Sequence, residues 1–246
     1  MAFDTNFTGL LSLDYGESSG SGFKITLNNQ VYLVTAKHVL YNPENKLRCK
    51  SVVMTSQKVW GNEVESRIIE IDMEKACVFS SEKEDIAVVL LESNHTVANY
   101  VNVVQEGSLS TLNFELNNVE SIYELKIASD VLLVGFPTSL IYQETKYFDV
   151  STPLLRKGII AGFNQSDNTF IIDCPSYYGN SGGPVIFIDA DNSTNIIGLV
   201  SRYIPFMITW RNNREFSISH TEFSNSGYTV CVPIKSVTDL IDANLI

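Results

Sequence analysis

The stretch YGNSGGPV, at residues 178–185, places one serine hydroxyl in a turn rich in glycine. Glycine lacks a Cβ, so the amides of such a turn can approach a bound group closely. Serine is a poor nucleophile unless a neighbouring base removes its proton. Because an apolar strand begins at Val185, the stretch predicts a tight turn between strands that presents Ser181. A glycine-rich turn also occurs in ordinary loops, so the interpretation depends on a base elsewhere in the chain.

A candidate base lies in VYLVTAKHVL, at residues 31–40, where a buried-looking strand runs directly into His38. Imidazole suits a general base near neutral pH because its ordinary pKa is about 6.5. Taken alone, a histidine in this position is more often structural than catalytic. The other two histidines, His95 and His220, lie in polar, loop-like sequence and are interpreted as surface residues.

A candidate acid lies in EDIAVVLL, at residues 84–91, where Asp85 immediately precedes an apolar strand. A carboxylate in this position is commonly an exposed strand cap. A histidine base, however, needs an acceptor on one ring nitrogen, which fixes its tautomer and stabilises the imidazolium that forms. Asp85, His38 and Ser181 together therefore predict a nucleophile, base and acid for acyl transfer.

Short apolar or alternating runs, separated by turn residues, predict an all-β architecture. Asn28 and Asn29 predict a hairpin turn, as do residues 165–168, because Asn and Asp tolerate the positive φ of such turns. Short helices are expected near Ala36 and at residues 234–246. The predicted strands are residues 22–27, 31–35, 51–55, 67–71, 86–91, 131–135, 158–163, 169–173, 185–188, 196–201 and 228–232.

The polar stretch at residues 105–120 separates the strands into two groups. It predicts an N-terminal β-barrel at residues 1–112, carrying His38 and Asp85, and a C-terminal β-barrel at residues 113–246, carrying Ser181 and the final helix. The sequence shows no internal repeat and no low-complexity tract.

Composition excludes several classes of partner. A net charge of −11 disfavours nucleic acid and anionic membrane surfaces, and no apolar run reaches the length of a transmembrane helix. The four cysteines form no CxxC pair, so neither a metal site nor a dense disulfide framework is expected. The first residues lack the pattern of a secretory signal, which predicts a soluble, cytoplasmic protein with reduced thiols.

Three segments, TAKH at residues 35–38, DIAV at 85–88 and GNSGGP at 179–184, resemble the signature segments of the chymotrypsin-like serine proteases. Their order, His then Asp then Ser, differs from that of subtilisins and α/β-hydrolases. The resemblance implies two six-stranded antiparallel β-barrels with a short C-terminal helix. Within the trypsin-like family, SGSGF at residues 19–23 and the run at 173–183 are most similar to the HtrA (DegP-type) branch, here without room for its PDZ module.

The resemblance implies a role for each residue. Ser181 attacks the scissile carbonyl, His38 removes the serine proton, and Asp85 holds His38. The backbone N–H groups of Gly179 and Ser181 form the oxyanion hole, and Ser201 supports the triad by bonding the aspartate. No metal or cofactor is required.

By the same resemblance, the primary specificity pocket lacks an acid at its base, where Pro175 stands. Asp173 is assigned to the preceding strand. A basic side chain buried there would lack a counter-charge, so small or medium apolar residues are expected on the acyl side of the cut. The predicted substrate-binding residues are Pro175, Ser176, Tyr177, Arg202, Tyr203, Gly227 and Thr229.

Three hypotheses about the function of the chain remain open at this point. The first is an active endopeptidase acting on polypeptides; because Asn180 replaces the aspartate of cleavage-activated relatives, activation by cleavage is not expected. The second is a catalytically silent binding or scaffold protein on the same fold. The third is a protease effector subunit controlled by a larger assembly, through a regulatory protein partner or a homo-oligomer.

Overall fold

The computed structural model describes residues 4–60, 63–105, 114–115, 122–142, 148–188, 194–211 and 219–244. Within these ranges the chain is nearly all β-structure, which confirms the predicted fold class. The strands are β1 (Thr8–Leu13), β2 (Ser18–Leu27), β3 (Gln30–Thr35), β4 (Ser51–Trp60), β5 (Glu63–Asp72), β6 (Val78–Ser80), β7 (Ala87–Ser93), β8 (Thr96–Val97), β9 (Val101–Gln105), β10 (Phe114–Glu115), β11 (Asp130–Gly135), β12 (Leu154–Asn164), β13 (Thr169–Asp173), β14 (Pro184–Ile188), β15 (Thr194–Arg211) and β16 (Ser219–Pro233).

Two α-helices accompany the strands, α1 (Lys37–Leu40) and α2 (Ile234–Asp242). Short 3-10 helices lie at Asp14–Gly16, Ile122–Glu124 and Thr138–Tyr142. The described part of the chain contains no helix both long and apolar enough to cross a membrane.

Two sheets divide the strands. The second is the expected six-stranded closed barrel, in the order β11-β12-β13-β16-β15-β14. The first runs β6-β7-β3-β2-β1-β4-β5-β9, with β8 added to β7 and β10 to β2, which makes ten strands where six were expected. Three of the four additional strands are the short β6, β8 and β10, of two or three residues each, which pair with longer strands.

Turn chemistry confirms the predicted hairpins. Asn28 and Asn29 have φ values of 52° and 59° and join β2 to β3. A two-residue turn in which both φ values are positive matches the right-handed twist of the paired strands. Asn168, with φ of 49°, ends the turn between β12 and β13.

Helix α2 completes the core of the first sheet. Its side chains Ile234, Val237 and Ile241 are at most 3% exposed and belong to the same buried cluster as Leu33 and Val88 of β3 and β7. The predicted boundary between residues 112 and 113 lies outside the described residues. The division into two domains stays a prediction, and the packing of α2 shows that the two parts share a core.

Lys24 is a buried lysine whose burial the hydrophobic pattern of the sequence does not predict. It lies on β2, is 5% exposed, and lines a cavity of about 50 Å³ with Met54, Ile69 and Arg67. Burial lowers the pKa of Lys24 to about 7, and the nearby charge of Arg67 adds to this effect. Below about pH 7 the folded chain therefore holds a charged amine away from solvent.

We expect Lys24→Met to raise the free energy of unfolding by about 2–4 kcal/mol at pH 7 and by about 1 kcal/mol at pH 10. A lysine whose pKa falls on folding binds fewer protons in the folded state between about pH 7 and 10.5, so the wild type gains stability as the pH rises through that window. Urea unfolding at both pH values measures the difference. The exposed Lys46→Met is the control, and an equal effect of the two substitutions would contradict the assignment.

Candidate active site

Strand pairing brings His38 and Asp85 together. Thr35, at the end of β3, lies opposite Ala87, at the start of β7. His38 follows β3 as the second residue of α1, and Asp85 precedes β7 by two residues. Their side chains therefore meet at one end of the sheet, where His38 Nδ1 lies 2.8 Å from Asp85 Oδ2.

The Asp85 carboxylate accepts three hydrogen bonds. The backbone N–H of His38 donates to Oδ1 at 3.0 Å, while the His38 ring and the Ser201 hydroxyl reach Oδ2, the latter at 2.6 Å. Burial acts to raise the pKa of Asp85, but the hydrogen bonds and the attraction of His38 outweigh it and hold that pKa below its ordinary value. With Nδ1–H donating to an ionised carboxylate, the Nε2 atom of neutral His38 is left as a proton acceptor.

Ser181 lies in the nucleophile turn, residues 178–183, next to Ser201. Its hydroxyl donates to the Ser201 carbonyl oxygen at 3.2 Å. Among the described residues no hydrogen bond joins Ser181 Oγ to the ring of His38. Ser201 thus contacts both Asp85, through its side chain, and Ser181, through its backbone.

The start of the nucleophile turn requires glycine. Gly179 has φ of +101°, and a Cβ on it would lie 2.3 Å from the Phe136 carbonyl oxygen. The Tyr178 carbonyl accepts from the N–H and hydroxyl of Ser139, at 3.3 and 3.2 Å. Since a trans peptide points its C=O and N–H in opposite directions, the Gly179 N–H faces away from Ser139. Within the described ranges neither this N–H nor that of Ser181 has a protein acceptor, so both donors are available.

Ser21, on β2 of the first sheet, holds the nucleophile turn in place through hydrogen bonds. It is fully buried; its hydroxyl donates to the Gly179 carbonyl at 2.6 Å and accepts from the Phe136 N–H at 2.9 Å. Its own N–H donates to the Ser181 carbonyl at 2.8 Å. Sequence reasoning assigned no role to Ser21; the only signal was the run of small residues at 19–22.

At Gly182 this turn packs directly against the first sheet. Its φ is +85°, and a Cβ would lie 2.2 Å from both the Ser21 carbonyl oxygen and Thr35 Oγ1. No side chain fits there, which explains why the turn carries glycine directly after Ser181. The preceding residue, Asn180, is 2% exposed, and its Oδ1 atom has no hydrogen-bond partner among the described residues.

The predicted pocket residues occupy three segments: the loop after β13, β15 and β16. Ser176 and Thr229 are buried and joined by a 2.8 Å hydrogen bond, and Asn225 donates to the Ser176 carbonyl at 2.5 Å. Asp173 ends β13 with an exposed side chain, as assigned from the sequence. The hydrogen-bond partners of Ser176 are therefore polar groups without charge.

Aromatic contacts flank the same region. The Arg156 guanidinium lies 4.8 Å from the centre of the Tyr177 ring. Tyr178, which sequence reasoning missed, meets Tyr203 edge to face, with ring centres 6.0 Å apart and hydroxyls 3.4 Å apart. This hydrogen bond raises the pKa of Tyr203, and partial burial adds a smaller effect in the same direction. Of the other predicted substrate residues, Arg202 is exposed, Pro175 is half-buried and Gly227 has φ of +91°.

Open depressions lie on both sides of the His38–Asp85 pair. One, of about 620 Å³, is lined by Lys37, His38, Tyr41, Asn42, Pro43, Asn45, Arg48 and Asp85. The other, of about 650 Å³, is lined by residues of β13, β15 and β16 together with Lys83, Glu84 and Asp85.

The described residues contain no group of three or more His, Cys, Asp or Glu side chains arranged to hold a metal ion. Cys49, Cys77, Cys174 and Cys231 are all free thiols. The chemistry that the arrangement supports is proton transfer and nucleophilic attack by protein side chains.

Comparison with known proteins agrees with this geometry. A family model described as the trypsin-like peptidase domain matches residues 20–199. Serine protease HTRA4 of Homo sapiens is 28% identical over 214 residues, which cover 85% of this chain and 36% of that protein. The chain thus spans little more than a third of the length of that relative. The match confirms the resemblance to the HtrA branch.

Solved structures share the fold at low identity. The serine endoprotease from Yersinia pestis has a TM-score of 0.55 at 15% identity, covering 98% of this chain and 63% of that one. Protease Anisep from Arthrobacter nicotinovorans gives 0.55 at 14%, covering 99% and 98%. Human heparin binding protein gives 0.55 at 10%, covering 97% and 90%. These likenesses show the chymotrypsin-like double barrel, and together with the match over residues 20–199 they establish that the chain belongs to the trypsin-like peptidase family.

Proposed function

We propose that the chain is a serine endopeptidase that hydrolyses peptide bonds through an acyl-enzyme, with His38, Asp85 and Ser181 as its catalytic triad. One observation carries the proposal. An ionised Asp85 accepts from His38 and from Ser201, and the Ser201 carbonyl accepts from Ser181, in a turn whose Gly179 and Ser181 N–H groups have no protein acceptor among the described residues. A nucleophile, a base and oxyanion donors in one place are what acyl transfer requires.

In this mechanism Ser181 Oγ attacks the scissile carbonyl carbon while His38 Nε2 takes the hydroxyl proton. Asp85 stabilises the imidazolium without itself becoming protonated. The N–H groups of Gly179 and Ser181 bind the oxyanion; such a donor is worth about 3–4 kcal/mol of transition-state stabilisation. His38 then protonates the leaving amine, and water repeats the sequence on the acyl-enzyme.

The hydrogen bond from Ser181 to the Ser201 carbonyl gives substrate a further role. A substrate lying along β15 offers a backbone N–H to that carbonyl and competes with the Ser181 hydroxyl for it. Displacement frees the hydroxyl to rotate toward His38 Nε2. Catalytic hydrogen bonds often form only in the substrate complex, so the resting contact is compatible with an active enzyme.

We expect the enzyme to prefer small or medium apolar residues on the acyl side of the cut. The Ser176–Thr229 pair offers no charge to a buried lysine or arginine, whose desolvation costs several kcal/mol. Mass-spectrometric mapping of cleavage in a denatured proteome, with wild type and Ser181→Ala in parallel, measures the preference. Cuts found mainly after Lys or Arg would point to Asp173 or another acid as the floor of the pocket.

A catalytically silent binding protein is the second candidate, because heparin binding protein shares this fold and Ser181 contacts Ser201 rather than His38. A fluorophosphonate probe distinguishes the two functions. The endopeptidase is expected to form a covalent adduct at Ser181, located by peptide mapping, while Ser181→Ala forms none. An intact wild-type chain that stays unlabelled at pH 8 would favour the binding protein.

Polypeptides are the substrates that membership of this family implies. Control by a regulatory protein or a homo-oligomer, and a cytoplasmic location, stay predictions. The four free thiols support a reducing compartment.

A further inference from the structure

Strands β15 and β16 extend beyond the second barrel as a two-stranded arm, defined as residues 205–211 paired with residues 219–225. The pairing starts at Pro205 and Asn225, after a register shift that follows Tyr203. An isolated two-stranded ribbon is marginally stable in water. The arm is therefore a surface that gains stability when another group packs on it.

Large apolar side chains cover both faces of the arm. Phe206 and Trp210 share one face, because residues four apart on a strand point the same way, and they are 59% and 62% exposed. Met207 lies directly opposite Phe223 on the other face, with exposures of 61% and 64%. Contiguous apolar surface of this kind is typical of a binding site.

The same strand has an unpaired edge that begins at the nucleophile. On the side away from β16, β14 pairs with β15 only as far as Leu199, and the nucleophile turn bonds Val200. From Ser201 to Arg211 no described strand pairs with this edge. Ser201 contacts Ser181 Oγ at 3.2 Å, so the edge runs from Ser181 to the far end of the arm at Arg211 over about 33 Å, at 3.3 Å per residue.

We propose that the apolar arm, which a substrate chain reaches along the open edge from Ser201, binds an extended apolar or aromatic segment of the substrate polypeptide. Unpaired strand edges bind extended chains through main-chain hydrogen bonds, while alternate side chains give selectivity. Phe206 and Trp210 are five and nine residues from Ser201, so the segment lies about five to nine residues from the scissile bond. The inference rests on the proposed function and adds to it a binding site for substrate residues distant from the cut.

Substrate fits this surface better than a second copy of the chain. A permanent partner strand along the edge would occupy the Ser201 carbonyl, which lies against the Ser181 hydroxyl, and would block the site. A substrate occupies the same groups only during turnover. The occupant is therefore expected to be transient and extended.

The test compares two peptides that share one cleavage site. The short peptide has six residues; the long one adds a segment with two aromatic residues, five and nine positions from the cut on the acyl side. The arm variant is Phe206→Ser with Trp210→Ser, and the matched control is Val104→Ser with Ile127→Ser, which are 57% and 59% exposed elsewhere on the surface. Wild type and the control are expected to cleave the long peptide at least about tenfold more efficiently than the short one, through a lower KM.

The arm variant is expected to lose this tenfold advantage while its kcat/KM for the short peptide stays unchanged. Equal rates of the arm variant and the control on the long peptide would overturn the proposal, and so would an equal loss on both peptides. A wild-type dimer that the arm substitutions dissociate, with the long-peptide advantage intact, would assign the arm to a second copy instead.

A binding measurement separates this inference from the proposed function. Fluorescence anisotropy with the Ser181→Ala chain is expected to show at least about tenfold tighter binding of the long peptide than of the short one, lost with the arm substitutions. This readout needs no turnover. If the wild type cleaves nothing and resists the fluorophosphonate, the endopeptidase proposal fails, while selective binding of the long peptide would still support the arm.

Discussion

The single variants Ser181→Ala and His38→Ala are each expected to lower kcat by about 10⁶-fold. The two side chains act in one step, since Ser181 attacks only as His38 accepts its proton. The double variant is therefore expected to lose no more than either single variant. Turnover of an apolar peptide at pH 8, followed by mass spectrometry, measures the loss.

The control for this pair is His95→Ala, because the His95 side chain is 94% exposed and lies beyond the opposite end of β7 from Asp85. It is expected to leave turnover at the wild-type level. All variants should show cooperative thermal unfolding like that of the wild type. A folded Ser181→Ala chain that retains even a hundredth of wild-type activity would rule out Ser181 as the nucleophile.

Replacing Asp85 by asparagine is expected to lower kcat/KM by about 10⁴-fold. Asparagine fits the space, and its carbonyl oxygen can still accept from the His38 backbone N–H. Its NH₂ group, however, then faces His38 Nδ1. That nitrogen becomes an acceptor, the ring proton moves to Nε2, and His38 can no longer take the proton of Ser181.

The comparison for Asp85→Asn is Ser201→Ala, which removes one of the three hydrogen bonds to the carboxylate. Loss of a single such bond is expected to cost about tenfold or less. Steady-state kinetics and the rate of fluorophosphonate labelling, measured from pH 6 to 9, report both variants. If Asp85→Asn reacted as fast as Ser201→Ala, the carboxylate would not be setting the tautomer of His38.

Those parts of the site that follow from local pattern were predictable from the sequence. His38 follows an apolar strand and Asp85 precedes another, and antiparallel pairing of two such strands brings those ends together. The asparagine pair at 28–29 specified its hairpin by backbone preference. These predictions needed no knowledge of distant contacts.

Features that depend on non-local contacts were not predictable. Strand β1 was missed because its residues are buried on both faces and Gly9 and the adjacent leucines do not alternate. The role of Ser21 depends on contact with residues more than 100 positions later. The resting rotamer of Ser181 and the length of the β15–β16 arm depend on packing and strand extension that periodicity does not encode.

The burial of α2 in the core of the first sheet bears on how the chain assembles. During synthesis, α2 begins 129 positions after the end of β9, the last strand on the main path of that sheet. Until then the half that carries His38 and Asp85 lacks Ile234, Val237 and Ile241 from its interior. Contacts so distant in sequence slow folding, because a long loop must close before they form. We therefore expect the proposed triad to form only after α2 has been synthesised, which would protect the chain's own unfolded segments from cleavage during synthesis.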